Sequence, residues 1–247
     1  MALQCVILAG GLGTRMRSLT EGRPKALVSV LGRPFVDWQL ELVAGQGIDR
    51  VVFNIGHGGH QIRKHVGDGS RFGVHVSWVD EGSDLRGTAG ALRLAADSGA
   101  LEDAFFVLYG DSYLPVDFAA VEASWKESGL PALMTVLLND GRWDASNAIY
   151  EAGRVVLYEK SRPAERAAEM RWIDYGLSIL TRRVLVDRIV SGYMTDLAGV
   201  MHELSVQALL AGFPVTARFY EVGSPAGLKD LEEYLAGTSR GDAPAPH

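Results

Sequence analysis

The residues with the most telling chemistry lie between positions 5 and 28: Cys-Val-Ile-Leu-Ala-Gly-Gly-Leu-Gly-Thr-Arg-Met-Arg-Ser-Leu-Thr-Glu-Gly-Arg-Pro-Lys-Ala-Leu-Val. An apolar run, Val6 to Ala9, leads into Gly10, Gly11 and Gly13, then Arg15 and, ten residues on, Lys25. Glycines in such a loop let backbone N–H groups approach an anion with no Cβ in the way. Arg15 adds a planar fork of donors and Lys25 a compact point charge. Residue types and spacing together suit a triphosphate cradle. Two other glycine loops fail on spacing. A P-loop needs a lysine directly after its last glycine, and none stands there. A dinucleotide fingerprint framed on Gly11 and Gly13 needs a small residue where Met16 stands, and an acid at the end of the next strand, which reads Asn54.

Two carboxylates follow apolar strands. Phe105 to Asp111 ends in Gly110-Asp111, and ligands of open α/β sheets collect outside the carboxyl ends of strands. Magnesium on a triphosphate takes one or two protein carboxylates and fills its remaining positions with water and phosphate oxygens. Asp111 suits that role, or that of a cap for the next helix. Glu221 ends another strand before a helix opened by Ser224 and Pro225, as a metal ligand or a solvent-facing acid. Asp80, Glu81 and Asp84 precede Gly87-Thr88-Ala89-Gly90, a small-residue turn into a helix that reads on its own as tight packing. His57, His60 and His65 lack the cysteine or second ligand pair that a zinc site needs.

The elements that must position these groups follow from periodicity. Strands are predicted at Cys5 to Ala9, Val51 to Ile55, Val74 to Val79, Ala104 to Tyr109, Ala132 to Leu138 and Val215 to Val222, mostly continuous apolar runs of the kind buried on both faces of a parallel sheet. Helical spacing recurs at Phe35, Trp38 and Leu42, at Phe118, Val121 and Trp125, and at Leu228, Leu231 and Leu235. Asn147 to Tyr150 and Arg154 to Glu159 flank Glu151-Ala152-Gly153 as an antiparallel hairpin. The expected fold is α/β: a Rossmann-like, open, mostly parallel mixed sheet flanked by helices, with a hairpin insertion. A single domain is expected over residues 1–236, with a disordered tail at 237–247 rich in Gly, Ser, Pro and Ala.

With 247 residues and 47% hydrophobic content the chain can bury a substantial core. A net charge of −6 disfavours a nucleic-acid partner. Cys5, the single cysteine, reads as a buried structural thiol. No stretch is apolar enough to span a bilayer and no signal-peptide pattern opens the chain, so the expectation is a cytoplasmic protein with no membrane partner.

Leu8 to Met16, a spacer, and then Pro24-Lys25 resemble the opening signature of the sugar-1-phosphate nucleotidyltransferases, or nucleotide-sugar pyrophosphorylases. The resemblance runs from residue 3 to about 236 and is sharpest at the N-terminus. It implies a nucleoside triphosphate (GTP, UTP or dTTP) and a sugar 1-phosphate as substrates. The acceptor phosphate would attack the α-phosphorus in line, with no covalent intermediate. Carried over residue by residue, it makes Arg15 and Lys25 catalytic. Leu8, Ala9, Gly10, Gly11, Gly13, Thr14, Gly87, Thr88 and Gly90 become nucleotide-binding. Asp111 and Glu221 become Mg²⁺ ligands, although the family usually has Asp before x-Gly-Thr-Pro where this chain has Glu221 and Ser224. Glu159 and Lys160 match the family's Glu-Lys pair, the carboxylate for sugar hydroxyls and the lysine for the acceptor phosphate. Asn147, Asp174, Tyr175 and Gly176 complete the substrate side; Asn147 also reads as a strand start, and Gly176 as the end of a strand from Trp172. The pattern is closest to heptose 1-phosphate guanylyltransferases and muramate 1-phosphate uridylyltransferases. A phosphocholine-type cytidylyltransferase and a non-catalytic regulatory homologue that senses nucleotide sugars remain as alternatives.

Overall fold

The computed structural model describes residues 2–11, 23–161 and 165–238. The first half of the chain forms β1 (Gln4–Ala9), a 3₁₀ turn (Lys25–Leu27), β2 (Ser29–Val30), β3 (Arg33–Pro34), α1 (Phe35–Gly45), β4 (Arg50–Ile55), α2 (Gly59–Val66), β5 (His75–Asp80), α3 (Gly87–Asp97), β6 (Ala104–Tyr109) and β7 (Ser112–Tyr113). There follow α4 (Phe118–Ser128), β8 (Ala132–Leu138), β9 (Ala148–Glu151), β10 (Arg154–Tyr158), β11 (Trp172–Thr181), α5 (Arg182–Arg188), α6 (Leu197–Val206), β12 (Leu210–Val215), β13 (Tyr220–Glu221) and α7 (Pro225–Thr238).

Nine strands form one mixed sheet in the order β5-β4-β1-β6-β11-β8-β12-β10-β9. β1 is apolar from Cys5 to Ala9 because helices cover both faces of the sheet. Cys5 and Ile7 enter a core shared with α1, α2 and α4, while Val6 enters one shared with α3, α5 and α6. Burial lifts the Cys5 thiol to about 12, which makes it an inert packing group. β1 pairs in parallel with β4 on one side and β6 on the other. The chain thus builds β4 and β5 outward in one direction, then crosses over to place β6 on β1's opposite edge. That reversal opens a crevice at the carboxyl ends of β1 and β6. Beyond β6 the order is broken by β11, antiparallel to both β6 and β8.

Two strand assignments from the sequence need correction. The expected strand from Val215 to Val222 is two elements: β12, which ends at Val215, and β13, which leaves the main sheet to pair with β7. β12 itself was hidden because the run from Leu204 to Phe213 continues a helical apolar pattern. Ala208 breaks it by taking a positive φ of 58°, and the Leu209 N–H turns back to the Leu204 carbonyl at 2.8 Å. Gly176 does not end its strand. With φ of 104° it sits in a register shift between Asp174 and Ser178, and β11 continues to Thr181. The last helix runs to Thr238, and residues 239–247 lie outside the described set.

Candidate active site

The crevice at the ends of β1 and β6 holds a cleft lined by Leu8, Ala9, Gly10 and Gly11, by Pro24 and Lys25, by Gly87 and Thr88, and by Gly110 and Asp111. It brings together the described parts of the glycine loop, the lysine, the second turn and the strand-end acid. Gly13, Thr14 and Arg15 lie outside the described residues. Asp111 arrives here because β6 ends pressed against β1. The Gly110 N–H donates to the Leu8 carbonyl at 2.9 Å, and a Cβ on Gly110 would stand 2.8 Å from that same oxygen.

Lys25 opens the 3₁₀ turn after Pro24 and reaches Asp111, Nζ to Oδ2, at 2.8 Å. Glu221 joins from β13, whose Glu221 pairs with Ser112 of β7, and the Val222 N–H donates to the Asp111 carbonyl at 2.9 Å. The point where Gly223 would carry a Cβ is 3.8 Å from Glu221 Oε2 and 3.9 Å from Lys25 Nζ. Lys25 and Asp111 thus line the cleft with Gly10 and Gly11, and Glu221, outside that lining, shares the neighbourhood of Gly223 with the Lys25 ammonium. Hard carboxylate oxygens are the right donors for magnesium. Among the described residues no group of three or more His, Cys, Asp or Glu side chains is arranged to hold a metal ion. A cation on Asp111 and Glu221 would take its other ligands from phosphate and water.

At the second turn the placements divide. Gly87 and Thr88 line the cleft, but Gly90 does not. A Cβ on Gly90 would meet the Tyr193 carbonyl at 2.8 Å, so its smallness serves packing of α3 against the 193–195 segment, a correction to its nucleotide-binding assignment. The Thr88 hydroxyl donates to Asp196 Oδ1 at 3.0 Å and accepts from the Leu197 N–H at 2.7 Å.

Among the residues expected to bind the acceptor, Asp174 accepts from the Gly176 N–H at 2.9 Å, while its backbone N–H donates to Asn147 Oδ1 at 2.9 Å. Asn147 thus fastens the hairpin to β11, since its N–H also donates to the Trp172 carbonyl. Dense surrounding protein lifts the Asp174 carboxyl to about 6, partly offset by the Gly176 N–H and Lys160. Burial, and after it the charge of Asp174, keep the Tyr109 and Tyr158 hydroxyls protonated far above their ordinary range. Glu159 accepts from the Ser161 hydroxyl, which holds its carboxyl below the usual range, and lies 3.4 Å from His202 Nδ1. Lys160 Nζ meets Asp196 Oδ2 at 3.2 Å.

Tyr175 belongs elsewhere. It is 2% exposed on the opposite face of β11, edge-on to Phe219, with its hydroxyl donating to the Arg218 carbonyl at 3.5 Å. Strand alternation sends it into the core that receives Leu177, so it is a packing residue and not part of a sugar wall. Gly176 shapes the bulge that aims Asp174.

Three polar residues of the cleft were given no role by sequence reasoning. Asn54 is fully buried at the end of β4, and among the described residues neither of its amide atoms has a hydrogen-bond partner. Tyr109 lines the cleft one residue before Gly110. Glu81 lies under the glycine loop: its Oε1 is 2.5 Å from where a Gly10 Cβ would be, and its Oε2 accepts from the Arg86 N–H at 2.8 Å. Burial raises its carboxyl above the usual range, against the Arg86 N–H. Its position just after β5 was the available signal, since strand ends are where this fold collects ligands.

Comparison with known proteins agrees with this geometry. The chain is 29% identical over 236 residues to an N-acetylmuramate alpha-1-phosphate uridylyltransferase of Neisseria meningitidis serogroup B, covering 95% of this chain and 99% of that one. It is 28% identical over 229 residues to a UTP–glucose-1-phosphate uridylyltransferase of Synechocystis, of which it spans 58% of the length. The inositol-1-phosphate CTP transferase from T. maritima superposes with a TM-score of 0.77 at 21% identity, covering 98% of each chain, which shows a shared fold. Among the described residues no helix is long and apolar enough to cross a membrane. The model of the nucleotidyl transferase family matches residues 4–154, more than half of the sequence, and the chain belongs to that family.

Proposed function

We propose that the protein transfers a nucleotidyl group from a nucleoside triphosphate to a sugar 1-phosphate and releases pyrophosphate. The observation that carries this reading is the Lys25–Asp111 ion pair in one cleft with Gly10 and Gly11, with Glu221 near Lys25 across Gly223. The nucleophile is already an anion, so the site needs no strong general base. Its task is to hold two polyanions together and spread the charge that develops on the α-phosphate. Lys25, with Arg15, serves the triphosphate, and Lys160 the acceptor phosphate. Mg²⁺ held by Asp111 and Glu221 would neutralise phosphate charge. Pyrophosphate release measured across five triphosphates and a panel of sugar 1-phosphates tests the reading. Release without any sugar phosphate, or with phosphocholine alone, would replace it.

The buried Glu81 favours guanine. A carboxylate accepts hydrogen bonds, and guanine offers N1–H and an amino group side by side, whereas uracil and thymine flank their single N–H with two carbonyl oxygens. Glu81→Gln is expected to shift the GTP to UTP ratio of kcat/KM by at least about tenfold toward UTP, the scale of a buried hydrogen-bond mismatch. An unchanged ratio removes Glu81 from base selection.

Asp174 gives the acceptor side a pH signature. Its carboxyl is raised to about 6, so it is ionised and able to accept from sugar hydroxyls above that pH and protonated below it. The acceptor KM at saturating triphosphate should therefore rise as pH falls from 7 to 5, and Asp174→Asn should make that rise shallower, leaving the part due to the acceptor phosphate's own second ionisation at about 6; an unchanged slope in the variant would remove Asp174 from the acceptor site. A flat wild-type profile would take Asp174 out of the acceptor site.

A further inference from the structure

We propose that Asp196 is a positioning residue that ties Lys160 of the acceptor side to the turn that binds the nucleotide, an inference that rests on the reading of Lys160 as the acceptor-phosphate lysine. Asp196 caps α6: its Oδ1 accepts from the Ala198 N–H at 3.1 Å and from the Thr88 hydroxyl at 3.0 Å. Those two bonds fix the carboxylate and leave Oδ2 toward Lys160 Nζ at 3.2 Å. Thr88, in turn, is held by the Leu197 N–H. The residue before Asp196 is locked to the same turn. The Thr195 carbonyl accepts from the Ala89 and Gly90 N–H groups at 2.9 and 3.2 Å, and the Thr195 N–H donates to the Arg86 carbonyl at 2.8 Å. Segment 195–196 thereby supplies an acceptor to the Ala89 and Gly90 N–H groups at the start of α3 and seats a carboxylate between the two half-sites.

Lys160 lies on the exit of the hairpin, with its side chain 65% exposed. A lysine so exposed loses rotamer freedom when it meets a phosphate, and an anchor that limits this freedom beforehand lowers the cost of binding. Burial opposes the charge of Asp196, but the Ala198 N–H, Lys160 and Thr88 outweigh it and hold the carboxyl below its ordinary range. The anchor is thus charged at neutral pH. Because it is fastened through Thr88, it places the ammonium relative to the nucleotide as well as the sugar.

The test is a double-mutant cycle on the full chain. Asp196→Ser keeps an oxygen that caps α6 but loses the one facing Lys160; Asp196→Asn keeps the shape and loses the charge. Each is expected to raise the acceptor KM about fivefold, the upper range for an exposed ion pair, with the triphosphate KM changed less than about twofold. In a Lys160→Ala background, where the acceptor KM is already raised, neither should raise it further. An equal rise in both backgrounds, or none in the wild-type background, overturns the proposal. If Lys160→Ala alone leaves the acceptor KM unchanged, the reading of Lys160 itself fails, and the role of Asp196 falls with it.

Discussion

Lys25→Ala is expected to lower kcat by about two to three orders of magnitude, the scale of removing one preorganised donor from a developing oxyanion, with far-UV circular dichroism unchanged. The expectation rests on where the ammonium is held. Lys25 sits in a short turn fixed by Pro24, 2.8 Å from Asp111 and 3.9 Å from the Gly223 Cβ position. A cation held in place before substrate arrives spends nothing on reorganisation as charge builds up on the phosphate. Only a donor whose contact strengthens in the transition state lowers kcat in this way; one that bound the triphosphate equally at all stages would raise KM instead. Near wild-type kcat with a raised triphosphate KM would reassign Lys25 to ground-state binding.

The second large effect concerns metal. Activity should be abolished by EDTA and restored by magnesium or manganese. Asp111→Asn should raise the metal concentration for half-maximal rate by at least about tenfold, since even residues that merely orient ligands shift metal affinity by that amount. Glu221→Gln should act in the same direction. Asp111 also pairs with Lys25, so a loss of rate alone would be ambiguous; the metal titration separates the two effects, because Lys25→Ala removes a cation that competes for Asp111 and should lower the metal midpoint or leave it unchanged, never raise it. If Asp111→Asn shifts the midpoint and Glu221→Gln does not, Glu221 is a neighbouring acid and the site has one carboxylate. Activity that survives EDTA would remove the metal from the reaction.

The parallel half of the fold was legible from the chain because its strands are buried on both faces. Cys5 to Ala9, Val51 to Ile55 and Ala104 to Tyr109 can hardly be read as anything but buried strands between turns. The hairpin was equally legible, since Ala152 and Gly153, both with positive φ, mark its turn. Residues 204–215 were not, because apolar spacing there fits helix and strand alike and the choice is made by a left-handed Ala208 with no local signal of its own. Among site residues, those that act through the end of a strand were visible, as with Asp111. Tyr175 was misplaced because face assignment along β11 depends on the bulge at Gly176, and a glycine written in a strand does not say whether it ends the strand or kinks it. Glu81 and Asp196 matter through neighbours distant in sequence, Gly10 and Lys160, and only the folded chain brings those pairs together.

The ribbon of β7 and β13 also constrains how the protein comes into being on the ribosome. Asp111 emerges with the parallel strands that form early, but Glu221 reaches its side only when Tyr220–Glu221 pairs with Ser112–Tyr113, and that ribbon is backed by α7 through Val222, Leu231 and Leu235. Synthesis runs from the N-terminus, and a domain folds as a unit. A nascent chain therefore carries the phosphate loop and lysine well before it carries the second carboxylate. The two acids therefore stand side by side only after synthesis has passed α7, the last element of the described chain.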